Sequence, residues 1–271
     1  MTKLKYRFTN DALFKLLFVK FPDLLKRLVA ELLCIPYESI EDLVVTNSEM
    51  QPEMLEGKFC RLDINMKTGG RRIDLEIQVE DEKNYVERSV FYWAKDFSSE
   101  LPEGGDYRDL LPTIVISIVD FSLFGCEDFH SEFRLFEVKR HELLTDKMCL
   151  HYFELPKIPK DVGEKDGLLL WLSLFRSKTE EDISKIQKMG VPIMEQVIDA
   201  YHHVSASDEL RELERMRDRA RNDEAAAMAR SRKEGERNGA LKIAINLRAK
   251  GMGVDEVAEA TGLTVDDILR L

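Results

Sequence analysis

Two acids separated by one residue, Asp74 and Glu76, stand in the run RRIDLEIQVE, and a third, Asp63, stands in RLDINMKT just before it. Gly69-Gly70 separates the two runs, and each run alternates apolar and polar residues, so the segment reads as a β-hairpin with a two-residue turn. That turn puts Thr68 opposite Arg71, Asn65 opposite Asp74, Asp63 opposite Glu76 and Arg61 opposite Gln78. Side chains alternate along a strand, so these residues share one face, while Leu62, Ile64, Met66, Ile73, Leu75, Ile77 and Val79 make the core face. Facing carboxylates with Cβ atoms about 4.5–5.5 Å apart destabilise a sheet. A divalent cation removes that cost, and oxygen ligands with open positions suit Mg²⁺ or Mn²⁺. The plainer expectation is a solvated polar face on which Arg61, Arg71 and Arg72 neutralise the acids.

The surrounding pattern supplies elements to position this hairpin. Asn10 is an N-cap ahead of DALFKLLF, and Pro22 starts a second helix that ends near Cys34. EDLVVTN reads as a short strand before the hairpin, and NYVERSVFYWAKDFSSEL as a helix after it. LPTIVISIVDF is a continuous apolar run, as expected of a central buried strand. HSEFRLFEVKR and MCLHYFELPK read as two more strands. The order implies an α/β core with a mixed sheet.

GLLLWLSLFRS, EEDISKIQKMG and PIMEQVIDAYHHV then read as helices. Residues 205–250 carry 12 Lys/Arg against 9 Asp/Glu, so most of the net charge of -11 lies elsewhere. This stretch reads as a long exposed helix interrupted near Gly235 and Gly239; Leu210 and Leu213 begin a heptad seam that Arg217 breaks. The last residues read as three short helices, with Gly251 a C-cap, Gly262 a turn, and Thr264 with Asp267 a capping pair. The expected divisions are 1–160, 161–204 and 205–271.

An acidic chain lacks the basic footprint usual for nucleic-acid binding, but a bound metal can supply local positive charge. No apolar run is long enough to span a membrane, and MTKLKYRFTND lacks a secretion signal's apolar core, so a cytoplasmic location is expected. Cys34, Cys60, Cys126 and Cys149 form no CxxC pair and the five histidines no ligand spacing, so reduced thiols and no zinc cluster are expected. His202-His203 is expected on a helix surface, and without a GxxxxGK loop ATP-driven action is not implied.

The arrangement resembles the PD-(D/E)xK nuclease superfamily and, more narrowly, its recombination-promoting nuclease / transposase family. The motifs that carry the resemblance are Asp11-Phe14-Lys15-Phe18, Lys58 with Asp63, Glu76 with Gln78, Arg88-Tyr92-Ala94, and Gly104 or Gly105 with Tyr107. Their order and spacing over about the first 160 residues are the specific signal; each alone is weak. The resemblance implies a restriction-endonuclease-like core with a mixed central sheet flanked by helices, plus an all-helical C-terminal extension. It implies a metal-dependent DNA endonuclease associated with recombination or mobile DNA.

The resemblance makes Asp63 and Glu76 ligands of Mg²⁺ (or Mn²⁺ or Ca²⁺), with the Ile77 carbonyl as a candidate further ligand, and gives Asp11 a second metal or its water. The metal would polarise a phosphodiester oxygen and activate water. Gln78 stands where the superfamily has Lys; an amide orients water without bringing charge, and Lys58, Arg88 and Lys95 are the candidates to supply the missing cation. Arg88, Tyr92 and Lys95 share a helix face and either back the acids or form an ordinary solvated face. Asp11 fits equally well as a carboxylate at a helix N-terminus, and Tyr107 as a structural residue.

GMGVDEVAEATGLTVDDILRL has a helix-turn-helix outline, but both helices are acidic, which favours a packing or dimer-forming unit over base readout. The Arg-rich stretch from Arg211 to Arg237 is the better phosphate contact, with a solvated helix as the default. Two alternatives stand beside the nuclease reading. One is a catalytically weak scaffold acting as an interaction or regulatory protein, which Gln78 and the long helix suit. The other, less favoured, is a DDE-type transposase using Asp63, Asp120 and a later Glu.

Overall fold

The computed structural model describes residues 2–46, 54–55, 58–59, 64–99, 101 and 104–271, with backbone alone at 54, 55, 58, 59 and 224. The chain forms two compact units, Met1–Leu213 and Glu214–Leu271.

In the first unit, helices α1 (Asp11–Lys20) and α2 (Pro22–Leu32) precede the strands. Asn10 caps α1 by accepting from the Leu13 N–H at 2.8 Å, and Pro22 opens α2. Cys34 just beyond α2 has φ 51°, a left-handed conformation that terminates it. Strands β1 (Val44–Val45), β2 (Met54–Leu55), β3 (Lys58–Phe59), β4 (Ile64–Thr68) and β5 (Arg71–Gln78) follow. Helix α3 (Tyr85–Ser99) connects β5 to β6 (Thr113–Val119), and β7 (His130–Phe133) and β8 (Met148–Glu154) complete the strands. The main sheet runs β1-β4-β5-β6-β8-β7, while β2 and β3 pair separately. β5, β6 and β8 are parallel; β4 and β7 join them antiparallel.

Gly69 and Gly70 have φ 49° and 75°, the positive values a tight hairpin turn demands. The resulting register pairs Thr68 with Arg71 and Asn65 with Asp74, as the turn predicts. Ile64, Met66, Ile73, Leu75 and Ile77 point into the main core, which also takes α1, α2, α4 (Gly167–Arg176), α5 (Glu180–Gln187) and α6 (Pro192–Ser205). Val79 departs from expectation: β5 ends at Gln78, and Val79 is exposed. A second, smaller core forms on the other face, where Tyr85 and Trp93 of α3 meet Val115, Val119, Leu150 and Tyr152. The sheet is therefore covered on both sides, which explains why β6 is buried at every position. The strand expected over HSEFRLFEVKR is shorter, confined to His130–Phe133.

Helix α7 (Asp208–Ala249) starts in the first unit and ends in the second. Gly235 and Gly239 do not interrupt it, contrary to expectation. Each glycine costs about 1 kcal/mol relative to Ala. The surrounding Arg, Glu and Ala are strong helix formers, and Arg232 pairs with Glu236 one turn on at 2.9 Å. Leu210 and Leu213 do not begin an open seam: Leu210 is fully buried and Leu213 packs against the main core.

In the second unit, the end of α7 supplies what was expected to be a separate helix. It packs with α8 (Val254–Thr261) and α9 (Val265–Leu269) around Ala244, Val257 and Ile268. Gly251 and Gly262 take the left-handed conformations expected of a cap and a turn, and Thr264 accepts from the Asp267 N–H. Asp267 pairs with Arg237 of α7 at 2.8 Å, so this acid is used within the unit. Among the described residues no helix is long and apolar enough to cross a membrane.

Candidate active site

The polar face of β5 is not solvated. Asp74, Glu76 and Gln78 are 8%, 3% and 2% exposed, although the hairpin pattern reads as an open charged surface. The cover is α3. Its residues at 85, 88, 92 and 96 recur at helical spacing, and Tyr85, Arg88 and Asp96 reach down to the strand.

Glu76 is the centre of the contacts. Tyr85 donates its hydroxyl to Glu76 Oε2 at 2.8 Å, and Arg88 Nη2 donates to Oε1 at 3.3 Å. The same Nη2 lies 3.0 Å from Gln78 Oε1, and Nη1 lies 2.6 Å from Glu82 Oε2. The guanidinium also sits 4.8 Å from the Tyr85 ring centre. Gln78 donates its Nε2 to the Glu80 carbonyl, so both ends of its amide are engaged. One N–H and one lone pair remain for other partners.

Asp74 occupies the same face at about 6.6 Å along the strand. Burial pushes its pKa well above the ordinary carboxylate range, and the charges of Glu76 and Asp96 push it further, against the pull of Arg72. Arg72 is bound to Asp96 of α3, with Nε donating to Oδ2 at 3.0 Å. Asp74 Oδ1 accepts no hydrogen bond among the described residues, nor does the buried Ser117 hydroxyl. Ser117 is the β6 neighbour of Glu76. A buried oxygen without a donor is costly, and hard oxygen donors of this kind suit a divalent cation of the Mg²⁺ class. The residues present thus fit such an ion, with Arg88 as a competing positive charge.

The other expected site residues are distributed as follows. Asp63 lies outside the described residues, as does the side chain of Lys58. Asp11 occupies the first turn of α1 and is half-buried. Tyr92 is half-buried on α3, while Lys95 is exposed. Of the three cations expected to replace the missing lysine, Arg88 is the one brought to Glu76 and Gln78 among the described side chains. Tyr107 is exposed in a single 3-10 turn. Asp120, the middle acid of a DDE arrangement, is ion-paired with Arg7 at 2.7 Å. Tyr85 escaped the sequence reading; its position three residues before Arg88, on the same helix face, was the available signal.

The comparisons with known proteins agree with this geometry at the level of the family. A family model described as "PD-(D/E)XK nuclease family transposase" matches residues 8–231. No curated protein and no solved structure matches the chain significantly. The matched span includes both faces of the sheet, α3 and most of α7. The chain belongs to the PD-(D/E)XK nuclease family of transposases, which points to a nuclease or mobile-DNA role with DNA as substrate.

Proposed function

We propose that the protein is a divalent-metal-dependent endonuclease that hydrolyses DNA phosphodiester bonds in recombination or on mobile DNA. Asp63 and Glu76 would hold the metal, with Asp11 as a further acid of the site. The observation that carries this reading is the buried carboxylate pair Asp74 and Glu76 beneath α3, in a chain of nuclease family. Burying like charges costs several kcal/mol, and such arrangements concentrate at functional sites.

PD-(D/E)XK nucleases generally use divalent metals. Such an ion supplies Lewis acidity to a phosphodiester oxygen and lowers the pKa of water. The chain's own groups do the rest. Tyr85 fixes the Glu76 carboxylate by holding Oε2. Gln78, Glu82 and Glu76 hold the Arg88 guanidinium, which would offset charge building on the phosphate once a metal neutralises Glu76. In this arrangement Gln78 positions the cation that the superfamily's lysine would otherwise carry. Its remaining N–H is the group that can orient water.

A second reading, a catalytically weak scaffold that binds partners, is favoured by the depth of Glu76 and by the engagement of both ends of the Gln78 amide. Supercoiled plasmid incubated with Mg²⁺, Mn²⁺, Ca²⁺ or EDTA, alongside Asp63→Ala and Glu76→Gln, separates the two. Nicking or linearisation that requires metal and both acids is expected. A folded wild-type protein that cuts under none of these metals would replace the nuclease with the scaffold.

A further inference from the structure

On the opposite face of the same sheet, three side chains of different chemistry converge. His151 on β8 lies in the cross-strand row of Ile116 and Leu75, so it faces away from Glu76. Glu132 on the edge strand β7 pairs directly with His151, and Cys149, two residues before His151, shares its face. Cys149 Sγ is 3.1 Å from His151 Nε2 and 3.6 Å from Glu132 Oε1, and the three donor atoms lie within 4.8 Å of one another. Cys149 and His151 are buried, while Glu132 is exposed at the sheet edge. His151 Nδ1, the nitrogen turned away from the thiol, is 3.0 Å from His130 Nε2. The His130 ring is itself stacked on Phe153, with ring centres 4.3 Å apart.

We propose that Glu132, Cys149 and His151 form a binding site for one thiophilic divalent cation, Zn²⁺ by its ligand set, with His130 as the outer partner of His151. Zn–S and Zn–N bonds of about 2.3 and 2.05 Å at a tetrahedral angle put sulfur and nitrogen about 3.5 Å apart, so the observed spacing needs only a small adjustment. A thiolate and a carboxylate together cancel the charge of a divalent ion, the Cys149 proton passing to solvent on binding. A hydrogen bond between His130 and Nδ1 leaves Nε2 free to ligate, the arrangement metal-bound histidines usually show. Three protein ligands leave the fourth position to water on the Glu132 side. Sulfur and imidazole select against Mg²⁺, which separates this site from the all-oxygen donors around Glu76.

Metal at this position ties the four-residue edge strand β7 to its neighbour. Arg134 Nε donates to Glu132 Oε1, the same oxygen that Cys149 Sγ approaches, so a bound metal displaces this contact or shares the carboxylate with it. The sequence spacing shows no metal set because Glu132 is brought in by strand pairing; the C-x-H alternation of Cys149 and His151 on one strand face is the local trace of it.

The test uses the full chain, stripped with chelator and titrated with Co²⁺. One equivalent should produce a thiolate-to-cobalt charge-transfer band, which one equivalent of Zn²⁺ abolishes and excess Mg²⁺ does not. Saturating Zn²⁺ at a hundredfold excess over Kd should raise the thermal midpoint by about 5 °C. Cys149→Ser should abolish the band, and the exposed-site variant Glu132→Gln should weaken Co²⁺ binding at least about tenfold. Cys34→Ser, Cys60→Ser and Cys126→Ser should leave it intact. A wild-type protein with no thiolate band overturns the proposal without reference to any variant. So does a band that survives Cys149→Ser, or one that Mg²⁺ displaces.

Discussion

The two faces of β5 are buried to similar depth by opposite means. Ile73, Leu75 and Ile77 are 1%, 0% and 6% exposed and reach that state by apolar contact with the main helical core. Asp74, Glu76 and Gln78 are equally enclosed, but the enclosure of Glu76 and Gln78 needs hydrogen-bond partners: Tyr85 and Arg88 of α3 donate to Glu76, and the Glu80 carbonyl accepts from the Gln78 amide. Apolar burial stabilises at roughly 25 cal/mol per Å² whatever the neighbours' orientation. A buried carboxylate gives a net gain only if its partners are aimed at it. The apolar face is therefore tolerant in geometry and costly to empty. The polar face depends instead on partners held in exact geometry, and it retains two oxygens, Asp74 Oδ1 and Ser117 Oγ, with no partner among the described residues. A face built only for stability would not need them.

That contrast can be broken at five points. Leu75→Ala should cost about 2–5 kcal/mol in a denaturant titration, because a fully buried side chain leaves a cavity; a loss under about 1 kcal/mol would mean this face is not the core. Glu76→Gln should leave the fold largely intact, since an amide oxygen still accepts from Tyr85, while plasmid cleavage falls on the order of 10²–10³-fold. Unfolding without selective loss of cleavage would reverse the assignment of the two faces.

Arg88→Met should destabilise by about 3 kcal/mol, because Glu76 is left buried beside a neutral side chain, and Arg88→Lys should recover part of this. Equal melting curves for Arg88→Met and wild type would show that the guanidinium does not neutralise the acid. Tyr85→Phe removes one charge-assisted hydrogen bond and should cost about 1.5 kcal/mol. The smallest effect belongs to Ser117→Ala. Its hydroxyl meets no donor or acceptor among the described residues, so in chelator the change should stay within about 0.5 kcal/mol of wild type or stabilise slightly. A loss well beyond that would reveal a partner for the hydroxyl and weaken the case that this face holds spare ligands.

Much of the frame is legible in the sequence. The Gly69-Gly70 turn dictates the register of β4 on β5, and alternation then decides which side chains share a face. Asn10, Pro22, Gly262 and Thr264 mark helix ends through local backbone chemistry. The continuous apolar run of β6 announces a strand covered on both sides. These features depend on neighbours a few residues away, and so they are written in short windows. Tertiary structure alone decided what lies over each face. The polar hairpin residues are buried because α3 packs on them, and Leu210 because the start of α7 packs on the main core. Gly235 and Gly239 stay helical because two weak positions are outweighed by the many helix formers around them. Glu132 meets Cys149 and His151 only through the pairing of β7 with β8. Periodicity encodes the direction of a side chain relative to its own element; the partner that meets it is set by contacts between segments far apart in the chain.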